Sequence, residues 1–296
     1  MKKILLLLLS AFALSTQAQI YPIIGQFQNV LLYYNPAYAG SGTQLRATGI
    51  YRAQSSKFPK TPNTQLITAE APLGKNVGGG VVVHRHAIGD FYQIGLSANA
   101  SYQIKIGRES FLQFGLKGGI SQVDFGVNSA FKWDQDDPFF NANATKGIIG
   151  TLGTGVYYKK KSFYAGLSVP DLVMIDANKL YTDKSTGKSL VKRNIFFMSG
   201  IKFNVTDFIA VQPNVLVRYY AGRPLNYYVN LSVIFNQTFT AGVGYVYSNV
   251  LGLYTNVNIT PKIVLGYRYE FSVAQKTNTN YNSGGSNEIL IRYGFN

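Results

Sequence analysis

Residues that could do chemistry are few in this chain. It has two histidines, His84 and His86, with Arg85 between them, and no cysteine. At spacing i, i+2 in a strand both imidazoles point to the same face, so a metal pair is geometrically allowed. No neighbouring cysteine or carboxylate completes a ligand set, and the two read as polar residues on an inward face. They are also the only imidazole bases, and no serine motif accompanies them, so the nucleophile and base of a hydrolase are missing. Without cysteine there is neither a disulfide framework nor thiol chemistry. The densest acidic stretch, DQDDPFF from Asp134 to Phe140, lacks the glycine and distal glutamate of a calcium loop. An acidic outer loop with exposed aromatics suits contact with another protein. Gly78 to Gly80 precede no Lys-Ser/Thr step and no helix, so they form no phosphate loop and read as bends in a strand. Lys159 to Lys161 read as a solvated turn. The expectation is a non-enzyme with no cofactor, no metal and no catalytic residue.

The elements around these residues carry a period of two. In YQIGLSANASYQIKI, Tyr92, Ile94, Leu96, Ala98, Ala100, Tyr102, Ile104 and Ile106 share one face, and Gln93, Ser97, Asn99, Ser101 and Lys105 share the other. The same alternation recurs in LQFGLKGGIS, LGLYTNVNIT and EILIRYGF. A transmembrane strand needs about 9–11 residues, apolar toward lipid and polar toward the lumen, whereas strands of globular proteins run about 5–6. Fourteen strands are predicted, at 44–54, 62–72, 77–88, 90–106, 109–124, 147–159, 162–169, 192–205, 207–220, 225–236, 238–248, 250–260, 262–273 and 286–296. All the long connections, Ser55 to Thr61, Phe125 to Lys146, Pro170 to Val191 and Ala274 to Gly285, then follow odd-numbered strands. Short periplasmic turns and long outer loops are the usual asymmetry of outer-membrane barrels. Tyr92, Tyr157, Tyr158, Tyr219, Tyr220, Tyr227 and Tyr228 sit near strand ends, where aromatic girdles lie. Pro213, inside a strand, calls for a bulge. The lumen face reads as Gln, Asn, Ser, Thr and Gly.

Composition agrees. Tyr and Phe number 22 and 19, Gly 30, and charged residues are 14 % against about 25 % in an ordinary soluble domain. The chain opens with Lys2 and Lys3, an apolar run from Ile4 to Leu14 and a small residue at Ala18, which together read as a secretory signal over 1–18. Export argues against nucleic acid as the partner of a chain with formal net charge +15, and favours lipid headgroups or an acidic protein. The reading is thus an all-β transmembrane antiparallel barrel over 43–296, in the outer membrane, preceded by a segment, 19–42, folded into or against the periplasmic mouth.

That segment contains YYNPAYAGSG, Tyr33 to Gly42. Pro36 pushes Asn35 toward an extended conformation, the small residues let backbones approach, and the tyrosines offer aromatic faces with hydroxyls. The stretch NVLLYYNPAYAGSG resembles the N-terminal signature of the PorP/SprF family of type IX secretion. The likeness continues in order at APLG (71–74), DDPFF (136–140), GLSVPDLV (166–173), QPNVLVRY (212–219), LGYRYEFS (265–272) and GGSNEILIRYGF (284–295). Asn287 stands where the family signature often carries His, Asn296 follows the aromatic Phe295 on which that signature usually ends, and the usual acidic start before NPAYAG is missing. The resemblance implies an outer-membrane barrel that works with the secretion machine, holds the C-terminal domain of secreted adhesins or a periplasmic component, and in some members supports gliding motility. It offers no catalytic residues. The expected partner contacts are Tyr34, Asn35, Pro36, Tyr38, Gly40, Trp133, Asp136, Asp137 and Phe139, in the NPAYAG segment and the loops 125–146 and 170–191. The alternative is an outer-membrane transporter of hydrophobic small molecules, which also has about fourteen strands and an Asn-Pro-Ala near its start.

Overall fold

A computed structural model describes residues 22–54, 60–124, 146–176, 193–247, 249–273 and 285–295. Among them fourteen antiparallel strands close into a barrel. They are β1 (Arg46–Ala53), β2 (Asn63–Pro72), β3 (Val77–Ile88), β4 (Phe91–Lys105), β5 (Ser110–Asp124), β6 (Lys146–Lys160), β7 (Phe163–Asp176), β8 (Asn194–Ile201, resuming at Phe203–Asn204), β9 (Ile209–Tyr220), β10 (Asn226–Phe235), β11 (Phe239–Val246), β12 (Val250–Asn258), β13 (Ile263–Ser272) and β14 (Ser286–Gly294). Each pairs with its sequence neighbour, and β1 closes on β14 from Arg46↔Gly294 to Ala53↔Asn287. Closure leaves no open edge, the condition that hydrocarbon imposes on any sheet crossing it.

The alternation fixes which face meets lipid. On β4, Leu96 is 52 % exposed and Ser97 5 %. Ile94, Tyr102 and Ile104 continue the outward apolar face, while Gln93, Asn99 and Ser101 are buried inside. Exposed Ile67, Leu116, Leu167, Leu253, Ile289 and Ile291 extend that face around the wall. A continuous apolar exterior of this kind belongs in a bilayer.

Two wall features differ from the sequence reading. β7 runs on to Asp176 rather than stopping at 169, because the chain bulges and then resumes pairing: Thr154 opposes Val169, yet Leu152 opposes Val173. Pro170, which cannot donate to the ladder, sits in that bulge. At Pro213 there is no bulge. The register of β9 against β8 is the same on both sides of it, Asn214↔Gly200 and Val211↔Phe203, and the ladder simply lapses at Ile201–Lys202 where the proline has no N–H to give.

At one end of the barrel all connections are brief, as at Leu73–Asn76, Lys161–Ser162 and Asn236–Thr238. Asn236 and Gln237 both take positive φ (46° and 54°), the geometry of a tight hairpin turn whose twist matches the strands. The long connections lie at the other end. By the usual asymmetry the short-turn end is periplasmic.

Candidate functional site

The hydrophobic core lies in the lumen, and its centre is the segment before β1. Three short turns, Phe27–Asn29, Leu31–Tyr34 and Pro36–Tyr38, carry the buried side chains of Phe27, Leu31, Leu32, Tyr33, Tyr34 and Ala37, and Ile24, just before them, is buried too. The segment crosses the lumen. Pro22 and Ile23 line a cavity with Arg52, Gln54, Val250 and Ser286 at the long-loop mouth. Gly40 and Gly42 lie beside Pro72, Lys75 and Asn76 at the short-turn mouth. The lumen therefore contains a plug. The wall presents Ile50, Leu66, Val82, Phe196, Met198, Leu216 and Leu290 to it, so the lumen face is not purely polar as the alternation alone implied.

Asn35 shows how the plug is built. Its backbone is extended (φ −135°, ψ 112°), as a residue before proline prefers. Its Oδ1 accepts from Ala37 N at 2.9 Å, capping the Pro36–Tyr38 turn, and its Nδ2 donates to Val156 O of β6 at 3.0 Å. The wall leaves room for this approach with glycine. A Cβ on Gly155 would stand 2.1 Å from Asn35 Oδ1, one on Gly115 2.1 Å from Ala37 N, and one on Gly78 2.1 Å from Ala39 O. Gly78 is thus the seat of the plug's Ala39 as much as a bend. Ser168 Oγ donates to Tyr34 O at 2.7 Å and Ser101 Oγ to Ala39 O at 2.6 Å, which satisfies plug carbonyls that no helix pairs.

A buried charge cluster clasps the other end. The Glu288 carboxylate accepts from Gly25 N at 2.8 Å and Gln26 N at 2.9 Å, and from Arg52 Nη1 at 3.2 Å. Arg52 also reaches Glu270 at 2.6 Å, and Arg268 Nε donates to Glu270 at 2.7 Å while Nη1 donates to Asn230 Oδ1 at 3.1 Å. Asn230 Nδ2 returns to Gly25 O at 2.8 Å. Charges this buried persist only when paired and hydrogen-bonded, and here one pair of acids serves two arginines and two plug amides.

The plug tyrosines are packing and hydrogen-bonding groups. Tyr34 OH accepts from Ile24 N at 2.8 Å, and its ring meets Phe196 edge-on at 5.3 Å. Tyr33 stands edge-on to His84 at 6.0 Å, and Tyr38 OH accepts from Arg46 Nη2 at 2.8 Å. Burial pushes the Tyr33 and Tyr34 phenols well above their ordinary range, so both stay neutral. His86 contacts Thr64 Oγ1 through Nδ1 at 2.9 Å. Among the described residues no group of three or more His, Cys, Asp or Glu is placed to hold a metal ion.

Of the contact residues expected from sequence, the structure brings Tyr34, Asn35 and Pro36 together, buried against the inner wall rather than facing a mouth. Tyr38 is partly buried, and Gly40, with φ +63°, lies at the short-turn mouth. Trp133, Asp136, Asp137 and Phe139 lie outside the described residues, as does 177–192 of the second expected loop. Of the expected girdle, Tyr219 and Tyr227 face outward, but Tyr157 and Tyr228 turn inward, Tyr157 against Tyr38 at 5.3 Å. Sequence reasoning missed Glu288, Glu270, Arg52 and Arg268. Their signal was charge on the polar face of alternating strands, too costly there to be incidental.

The short-turn mouth carries a second feature. Lys75, Lys105, Arg108, Lys160 and Lys161 are all exposed on its turns and adjoining strand ends. Glu109 and Asp207 are the exposed acids there among the described residues, and Glu109 pairs with Lys161 at 3.0 Å. The rim is cationic.

The family model described as type IX secretion system membrane protein PorP/SprF matches residues 16–293. No curated protein matches in sequence. Among solved structures, the Acinetobacter baumannii outer membrane protein Omp33 is similar at 11 % identity and TM-score 0.49, covering 86 % of this chain and 98 % of that one. The CymD monoaromatic hydrocarbon channel is similar at 11 % identity and TM-score 0.48, covering 93 % and 94 %. The Ralstonia pickettii toluene transporter TbuX is similar at 7 % identity and TM-score 0.47, covering 95 % and 96 %.

Proposed function

The chain belongs to the PorP/SprF family of type IX secretion system membrane proteins, and from that premise we propose that it is a non-enzymatic docking barrel of the outer membrane. In this reading it holds the C-terminal domain of a secreted adhesin or a periplasmic component of the machine. The observation that carries the reading is the cationic short-turn rim, Lys75, Lys105, Arg108, Lys160 and Lys161, set around a mouth whose lumen is filled by the plug. A filled lumen suits a protein that holds partners at its mouths. A ring of cations selects an acidic surface and speeds its approach. The NPAYAG segment serves this role from within, by fixing the shape of the mouth through Tyr38 and Gly40, and the outer connections after β5 and β7, bounded at 125–145 and 177–193, are the surface for the secreted protein.

The test is a pull-down of a tagged chain from native membranes, in parallel with Lys75→Glu/Lys160→Glu/Lys161→Glu. Recovery of a large adhesin or of periplasmic machine components with the unaltered chain is the expected outcome, with the periplasmic components lost in the triple variant and weakened by salt. Uptake of a hydrophobic solute that persists in cells without the secretion machine, with no such partner recovered, makes the chain a transporter instead.

A further inference from the structure

The plug is separable from the wall. It joins no strand ladder: it consists of turns of three or four residues held by side-chain hydrogen bonds and packing, while every strand finds its partners in the wall itself. Its covalent link runs through Gly40, Gly42 and the exposed Thr43–Leu45 to the start of β1, all at the short-turn mouth. Displacement of the plug therefore carries it toward that side.

The charges it covers are unequal. Lys159 Nζ donates to Ser41 O at 3.2 Å, and Arg292 Nη2 donates to Asn29 O at 3.0 Å and Asn29 Oδ1 at 2.8 Å. These plug acceptors are neutral, so they satisfy the donors without cancelling the charge. Among the described residues the carboxylate set against Arg46 and Arg292 is that of Glu70, which bonds Arg46 at 2.6 Å. Glu288 loses two plug amides on displacement but keeps Arg52. The uncovered wall is thus cationic in excess, and it leads to the cationic rim.

We propose that the barrel is a latent conduit for small anions, closed by residues 22–42 and opened when they withdraw toward the short-turn side. A fourteen-stranded barrel lies between eight-stranded ones, whose interior side chains fill, and the sixteen- to eighteen-stranded ones that hold aqueous channels, so the space the plug leaves is the pore. Fixed cations along it raise the local concentration of anions and exclude cations. This goes beyond docking, and its failure leaves the docking reading intact.

The test is conductance of the full chain in a planar bilayer under a potassium chloride gradient. The opening variant is Gly115→Val. Its Cβ would meet plug backbone at Ala37 N and Pro36 C, which has no slack, while valine suits a strand. Folding is checked by the strand signal in circular dichroism and by gel mobility. The unaltered chain is expected to be silent, and Gly115→Val to conduct with a reversal potential on the chloride side. Adding Lys159→Gln and Arg292→Gln to Gly115→Val is expected to move that potential toward the potassium side. A folded Gly115→Val barrel that stays silent or prefers potassium overturns the proposal, as does an unaltered chain that conducts as well as the variant.

Discussion

At the residue scale, Asn35 and Glu288 do the most. Asn35 joins a local cap to a wall contact 121 residues away in sequence. Asn35→Ala leaves Ala37 N and Val156 O without these partners and is expected to cost about 1–3 kcal/mol, the cost of unsatisfied buried groups. Urea unfolding of the barrel from vesicles, read as a lowered midpoint, checks it. Glu288→Ala is expected to cost more, about 3–5 kcal/mol, because it strands two plug amides and weakens the partnering of buried Arg52. A second change, Arg52→Met in the Glu288→Ala background, should recover part of the loss, since it removes the charge left behind. The turn at Asn35–Pro36 was legible in the sequence, since proline acts on the residue before it. Its partners were not, because Val156, Gly155 and Gly115 lie far along the chain. A small inward residue that makes room for a plug has the same sequence signature as one that permits a bend. Gly78 shows the ambiguity.

At the element scale the strands were legible because lipid imposes a rule on every second side chain. Leu96 and Ser97 differ only in which face they occupy, and their exposures of 52 % and 5 % follow. Leu96→Arg, near the middle of a fifteen-residue strand, is expected to destabilise the barrel by about 2–4 kcal/mol in vesicles, and Ser97→Thr, inside, by well under that. The end of β7 was misread for an identifiable reason. Pro170 interrupts alternation, and sequence alone does not tell a strand that stops from one that bulges and resumes. Pro213 posed the same problem and was solved by a lapse in the ladder instead. Pro213→Val restores a backbone donor facing β8 and should slow hydrogen exchange at Ile201–Phe203, with a gain of about 0.5–1.5 kcal/mol.

At the scale of the whole molecule, the two ends of the barrel are chemically different, and that difference assigns its orientation. The short-turn end carries exposed Lys160, the last residue of β6, and exposed Lys161 on the two-residue turn that follows, with Lys161 in the left-handed region at φ 49°. The other end carries the long connections and also a tight turn at Gly89–Asp90, so an accessible reporter exists on each side without disturbing a strand. The chain has no cysteine, so a single introduced thiol is the only one present. Asp90→Cys should react in intact cells with a maleimide that does not cross membranes, and Lys161→Cys should react only after the outer membrane is opened. The reverse pattern would turn the cationic rim outward, away from any periplasmic partner. Short turns on the periplasmic side and longer loops outside are the usual asymmetry of outer-membrane barrels. The labelling pattern therefore tests the placement on which the acidic-partner reading rests, independently of which partner is recovered.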